Sequence, residues 1–195
     1  SSIPLDWELS FLPIDSDDGQ MYINEMQYCV DFAFANRLLM MNRIQDIFTS
    51  QFKVVMYEPI INIAHNYAKL EHHFGKNVWI HRKGATLAES DTVGIIPGSQ
   101  GSKSYIVKGK GNIQSFKSCS HGAGRKMGRK EAERTLNLAD EIKKLDDMGV
   151  IHGLRNTSDL DEATGAYKDI DTVMKNQTDL VEILVELSPL AVIKG

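Results

Sequence analysis

Only two cysteines occur among the 195 residues, Cys29 and Cys119. They stand far apart and outside any paired metal spacing, which argues against a disulfide scaffold and for a reducing compartment. Long hydrophobic runs are missing too. None reaches the roughly 20 residues of a membrane span, and the opening SSIPLDWELS carries acids where a signal peptide would carry bases. These absences make a cytoplasmic location the expectation. An excess of positive charge is also lacking: Lys and Arg total 22 against 26 Asp and Glu, a formal net charge of -4. Any nucleic-acid contact must therefore use a local patch. The chain starts without Met, and SSIPLDW reads as a tag remnant or as a cut made inside a longer protein.

Several common signatures are absent as well. GSQGSKS lacks the spacing of a GxxxxGK[ST] phosphate loop, no GxGxxG follows a predicted strand, and the ligase motif KxDG does not occur. If this chain transfers a nucleotide, histidine is the better candidate. There is no internal repeat and no low-complexity segment. The composition, 42% hydrophobic and 25% charged, fits one globular domain over 1–195 with a sizeable core.

Between Asp17 and Phe52 there is no Pro, and Met26, Val30, Ala33, Phe34, Leu38, Met41, Ile44 and Phe48 recur at helical spacing. This predicts a long helix over about 17–52 whose apolar stripe must be covered. KVVMYEPIINIAHNYAKLEHHFG reads as a short strand, then a polar turn or short helix stopped at Gly75. The stretches NVWIHRKGATLAES and TVGIIPGSQGSKSYIVKGKGN alternate β-branched runs with Gly and Pro, as strands joined by tight loops do. After Arg125 the pattern is helical to about Asp147, and TDLVEILVELSPLAVIKG reads as a helix ended before Pro189 with a short extended tail.

Chemistry concentrates in SCSHGAGRKMGR, residues 118–129, where His121 lies among three glycines and is followed by three cationic side chains. Glycines let a bulky group approach the backbone, and the cations suit phosphate. Arg125 and Arg129 stand four apart before a run of helix formers, which predicts both guanidinium groups on the face of a first helical turn, beside its free N–H groups. Other polar, Gly-rich segments are AHN at 64–66, HRKGAT at 81–86, PGSQGSKSY at 97–105, AYKDID at 166–171 and the terminal Lys-Gly.

Taken together these segments resemble the RtcB family of RNA-splicing ligases, in family order from LPIDSDDGQMYINEM to the last Lys-Gly. HRKGAT, HGAGR and AYKDID are the most specific. The resemblance implies the C-terminal half of an RtcB-type ligase fold, α+β with mixed and antiparallel sheets and flanking helices. It also implies a GTP- and manganese-dependent RNA ligase, in tRNA splicing or RNA repair. Such an enzyme joins ends bearing a 2′,3′-cyclic phosphate or 3′-phosphate to 5′-hydroxyl ends. His121 falls on the guanylylated histidine, and a neutral imidazole is available at physiological pH to attack the α-phosphate of GTP.

By the same resemblance His65 matches a manganese ligand. Asn66, Ser99 and Ser104 match guanylate contacts, with Ala123 and Gly124 in the same pocket. Tyr167 matches a residue packed on the guanine, and Lys194 the near-terminal Lys that hydrogen-bonds the base. Arg82, Lys83, Arg125 and Arg129 match positions associated with RNA phosphates, whose neutralisation supplies most sequence-independent affinity. His72, His73, His81 and His152 match no ligand position, and His81 is expected to support its strand.

Departures are visible. The family's GSMG is GSQG here, Gly128 replaces a Ser, and the Pro expected before AYKDID is missing. These mark a divergent branch. The family's upstream Asp, bridging Cys, two further His ligands, and an Asn and Glu near the nucleotide are not in the sequence. The expectation is weak manganese binding by this chain, a missing N-terminal half as partner, and no membrane. The alternative expectation is a catalytically silent nucleotide- or RNA-binding module derived from this family.

Overall fold

In the computed structural model, which describes residues 11–193, helix α1 spans Asp17–Gln51. The Ser16 hydroxyl accepts a hydrogen bond from the Gly19 N–H, and Asp17 and Asp18 occupy the first turn, where negative charge suits the positive helix end. Next come strands β1, Asn66–His73, and β2, Lys76–Lys83, an antiparallel hairpin running from Asn66 opposite Lys83 to His73 opposite Lys76. Phe74 and Gly75 turn it with φ of 50° and 76°, the left-handed pair that matches strand twist. The strand predicted after Lys53 and the turn or helix predicted before Gly75 are therefore corrected: residues 53–65 contain neither helix nor strand. Ladder pairing with the Val78-Trp79-Ile80 run of β2 outweighs the weak local preference of NYAKLEHH.

The apolar stripe of α1 divides in two. Met26, Val30, Ala33 and Phe34 are partly buried where the helix meets β1, and the Met26 sulfur accepts from the Ala68 N–H at 3.0 Å. Leu38, Met41, Ile44 and Phe48 are exposed. The cover expected over the whole stripe thus reaches half of it among the described residues.

Strands β3, Ala85–Leu87, β4, Val93–Ile96, β5, Ser104–Gly109, and β6, Ser118–Ser120, form the middle of the chain. β3 pairs antiparallel with β6, setting Thr86 opposite Cys119. Helices α2, Arg129–Thr135, and α3, Leu138–Asp147, replace the single helix predicted from Arg125. Asn137 makes the break, because its side chain accepts from the Ala139 and Asp140 N–H groups and restarts the helix. Short β7, Ile151–His152, leads through 3₁₀ turns to α4, Ile170–Lys175. Then come β8, Val181–Leu187, and β9, Ala191–Val192.

β8 is the second correction, since this segment reads as a helix in the sequence. VEILVEL satisfies both periods, and the free edge of β5 decides between them. The sheet β4–β5–β8 is antiparallel throughout, and a ladder rewards the β-branched Val181, Ile183 and Val185. The class is α+β, with small antiparallel sheets and one two-residue parallel pair, β7 with β9. One core cluster gathers Ile96, Tyr105, Val107, Cys119, Ile170 and Met174 under the residues around His121; another gathers Leu145, Val150 and Leu154. Both cysteines are free thiols. No helix among the described residues is long and apolar enough to cross a membrane.

Candidate active site

His121 follows β6 directly, and Gly84 links β2 to β3 just opposite it. The His121 N–H reaches the Gly84 carbonyl at 3.4 Å. Gly84 has φ +75°, a conformation that L side chains rarely adopt, and a Cβ there would sit 3.8 Å from the His121 Nδ1. His65 ends the irregular stretch before β1, so its ring arrives from the other side. The two imidazoles stack with centroids 5.1 Å apart and planes 15° from parallel. Burial, then the charge of His121 and of Arg37, lowers the pKa of His65, which keeps a nitrogen lone pair free at neutral pH.

The HGAGR segment is held on both sides by backbone hydrogen bonds. Ala123 donates to the Pro97 carbonyl at 3.0 Å, while Lys168 donates to Gly124 and Lys126 to Ala166, each at 2.9 Å. PGSQG and AYKD thus flank the histidine loop. Within PGSQGSKS the hydroxyls serve their own turn. Ser99 Oγ lies 2.8 Å from Ser102 Oγ, and Ser104 Oγ accepts from the Gly98 N–H at 3.3 Å. Gly98 admits no side chain, because a Cβ would stand 2.1 Å from the Lys103 carbonyl oxygen.

A cleft of about 470 Å³ opens between α1 and the β1–β2 hairpin, lined among others by Arg37, His65, Asn66, His81 and Lys83. Among the described residues no carboxylate lines it. Asn66 and Lys83 face each other across the end of the hairpin, and the His81 Nε2 lies 3.4 Å from the Tyr22 hydroxyl.

The four cations matched to RNA phosphates are placed very differently. Lys83 is exposed at the cleft. Arg82, 1% exposed, is corrected from a phosphate contact to a buried structural cation. Its nitrogens donate to both Glu71 carboxylate oxygens at 2.5 and 2.9 Å, to Ser118 Oγ at 3.0 Å and to the Phe116 carbonyl at 2.9 Å. Burial pushes the Glu71 carboxyl up, but hydrogen bonds from Arg82 and His73 outweigh it and hold the pKa at about 2. Arg125 and Arg129 do not share a helical turn, because α2 begins only at Arg129. Arg125 lies over the Tyr167 ring, 5.0 Å from its centroid, and donates to the Tyr167 hydroxyl at 3.1 Å and the Met127 carbonyl at 3.0 Å. Both arginines meet at Glu162, Arg125 Nη1 at 3.2 Å and Arg129 Nε at 3.0 Å.

Lys194 lies outside the described residues. Among the described residues no group of three or more His, Cys, Asp and Glu side chains is gathered as a metal cage. A single imidazole, His65, does not fit a complete manganese site by itself.

Two residues here carry no sequence signal. Gln177, 4% exposed, accepts at Oε1 from the Ser120 N–H at 3.0 Å and pins the residue before His121. Glu162 stands in DEATGAYKDID without any motif to single it out.

The whole described chain and more is matched by a family model, that of the tRNA-splicing ligase RtcB, over residues 2–195. The RNA-splicing ligase RtcB of Escherichia coli K12 is 39% identical over 180 residues, covering 89% of this chain and 43% of the relative. The tRNA-splicing ligase RtcB of Nanoarchaeum equitans is 35% identical, covering 97% and 45%. That of Aeropyrum pernix is 31% identical, covering 100% and 46%. The chain therefore spans less than half the length of these curated relatives. On the family match and these identities together, the chain belongs to the RtcB family of tRNA-splicing ligases.

Proposed function

We propose that this chain is the guanylylating part of an RNA ligase and that His121 is its nucleophile. The observation that carries the reading is the convergence at one point of the stacked His65–His121 pair, the PGSQG loop and the AYKD loop. The His121 imidazole attacks the α-phosphorus of GTP, forming a P–N bond and releasing pyrophosphate. An RNA 3′-phosphate oxygen then takes the guanylyl group and frees the imidazole. Finally the 5′-hydroxyl attacks the 3′-phosphorus, forming the phosphodiester and releasing GMP. The chain's own part is to hold His121 between two anchored loops and to offer Asn66, Lys83 and Arg129 toward nucleotide and RNA. Ser99, Ser104, Ala123, Gly124 and Tyr167 surround the guanylate in this reading, and Lys194 hydrogen-bonds the base.

His65 would supply an imidazole to the family's manganese, and the described residues do not complete a site around it. The same gap calls for a partner. Apolar residues of α1 from Leu38 to Phe48 and of β8 at Ile183 and Val185 are exposed, and we assign their cover to the remaining half of an RtcB-type ligase fold, within one joint domain. A cytoplasmic setting goes with this reading.

The lone His65 also favours a second reading, a silent module that keeps the pocket without the metal half. Manganese-dependent formation of a covalent GMP adduct separates the two. An adduct lost in His121→Ala supports the ligase, whereas its absence when the other half is supplied supports the silent module.

A further inference from the structure

Glu162 closes a 3₁₀ turn, Thr157–Glu162, anchored by the fully buried Leu160. Its carboxylate is gripped from three directions. Oε2 lies 3.2 Å from Arg125 Nη1 and accepts from the Tyr167 hydroxyl, while Oε1 accepts from Arg129 Nε at 3.0 Å and lies 3.0 Å from Arg129 Nη2. Two guanidinium groups and a phenol around two oxygens form the donor set that a phosphate recruits. These donors belong to HGAGR, to the start of α2 and to AYKDID.

The two arginines differ in freedom. Arg125 also donates to the carbonyls of Met127 and Asp161, so its place survives loss of the carboxylate. Arg129 has a side chain 68% exposed, and its contacts run to Glu162 and, at 3.9 Å, to Asp161. An ion pair this open is held weakly and exchanges readily for another anion.

We propose that Glu162 is a built-in competitor for the RNA phosphate, holding Arg129 and the Arg125–Tyr167 pair until a nucleic-acid phosphate displaces it. This rests on the reading of Arg125 and Arg129 as RNA-phosphate cations. Glu162 is then a specificity-determining residue. A lone weak anion does not outcompete a tethered carboxylate, whereas a polyanion held at several points does.

The test is binding of a single-stranded RNA oligonucleotide with a 3′-phosphate to the 195-residue chain across a salt series, for wild type, Glu162→Gln, Glu162→Ala and Arg129→Ala. GTP is titrated in parallel, and Asp140→Asn serves as a control for charge. Glu162→Gln should tighten RNA about two- to fivefold at low salt and steepen the salt dependence by about one counterion. Glu162→Ala should do the same, Asp140→Asn should not, and the gain should vanish in the Arg129→Ala background. RNA affinity that is unchanged or weaker in both Glu162 variants, with folding intact by circular dichroism, overturns the proposal and makes Glu162 an organiser of the arginines. A gain confined to GTP also overturns it, assigning the clasp to the nucleotide. If wild-type binding is salt-independent and untouched by Arg129→Ala, the RNA-phosphate reading itself fails, and the competitor falls with it.

Discussion

Burial, and then the charge of the His121 ring stacked at 5.1 Å, disfavour the protonated form of His65. The His65 titration followed by NMR should therefore have its midpoint below the ordinary histidine value, and His121→Ala should move it back up. A midpoint that ignores the substitution would mean the rings do not feel each other. At Arg82 the stakes are structural. Arg82→Met leaves the largely covered Glu71 carboxylate without its guanidinium and should cost about 3 kcal/mol in urea unfolding. The pH dependence has a definite sign: Glu71 is depressed from 4.5 to about 2, so its contribution is complete above pH 4.5 and fades as pH falls toward 2. Glu71→Gln should flatten the acid limb of the stability curve, and an unchanged limb would contradict the pairing. Residue identity in the sequence pointed to His121 through its motif. It could not separate Arg82 from Lys83, because adjacent strand residues face opposite sides and only the fold says which side is core.

At the scale of elements, α1 was legible because a Pro-free stretch with helical spacing has few other outcomes. β8 was not, because Leu180, Ile183, Leu184 and Leu187 also satisfy a helical stripe while Val181, Ile183 and Val185 satisfy a strand. The edge of β5, a non-local partner, settles it. The break between α2 and α3 depends on one cap. Asn137→Ala should cost about 1 kcal/mol by thermal or urea unfolding, and no measurable loss would show that the break has another cause. Where an element is uncovered, substitution should be cheap. Ile44→Lys on the exposed half of α1 should alter the stability of this chain by less than about 0.5 kcal/mol yet impair association with the remaining half of the ligase. A large loss of stability in the chain alone would show that this face is already packed.

For the molecule as a whole, the chain brings the histidine loop, the serine loop and the AYKD loop close together, with a cleft beside them that no carboxylate lines among the described residues. The motifs made that convergence legible in outline. Glu162 and Gln177 were not legible, because the arginines that Glu162 joins and the Ser120 that Gln177 holds lie more than thirty and fifty residues away along the chain. The proposed nucleophile, His121, can be checked by mapping the adduct formed with labelled GTP and manganese, when this chain is supplied with the remaining segment of the Escherichia coli relative. An acid-labile, alkali-stable GMP should be found on the peptide containing His121 and be lost in His121→Ala. A label that persists in that variant, or maps to another histidine, or never forms, would contradict this reading.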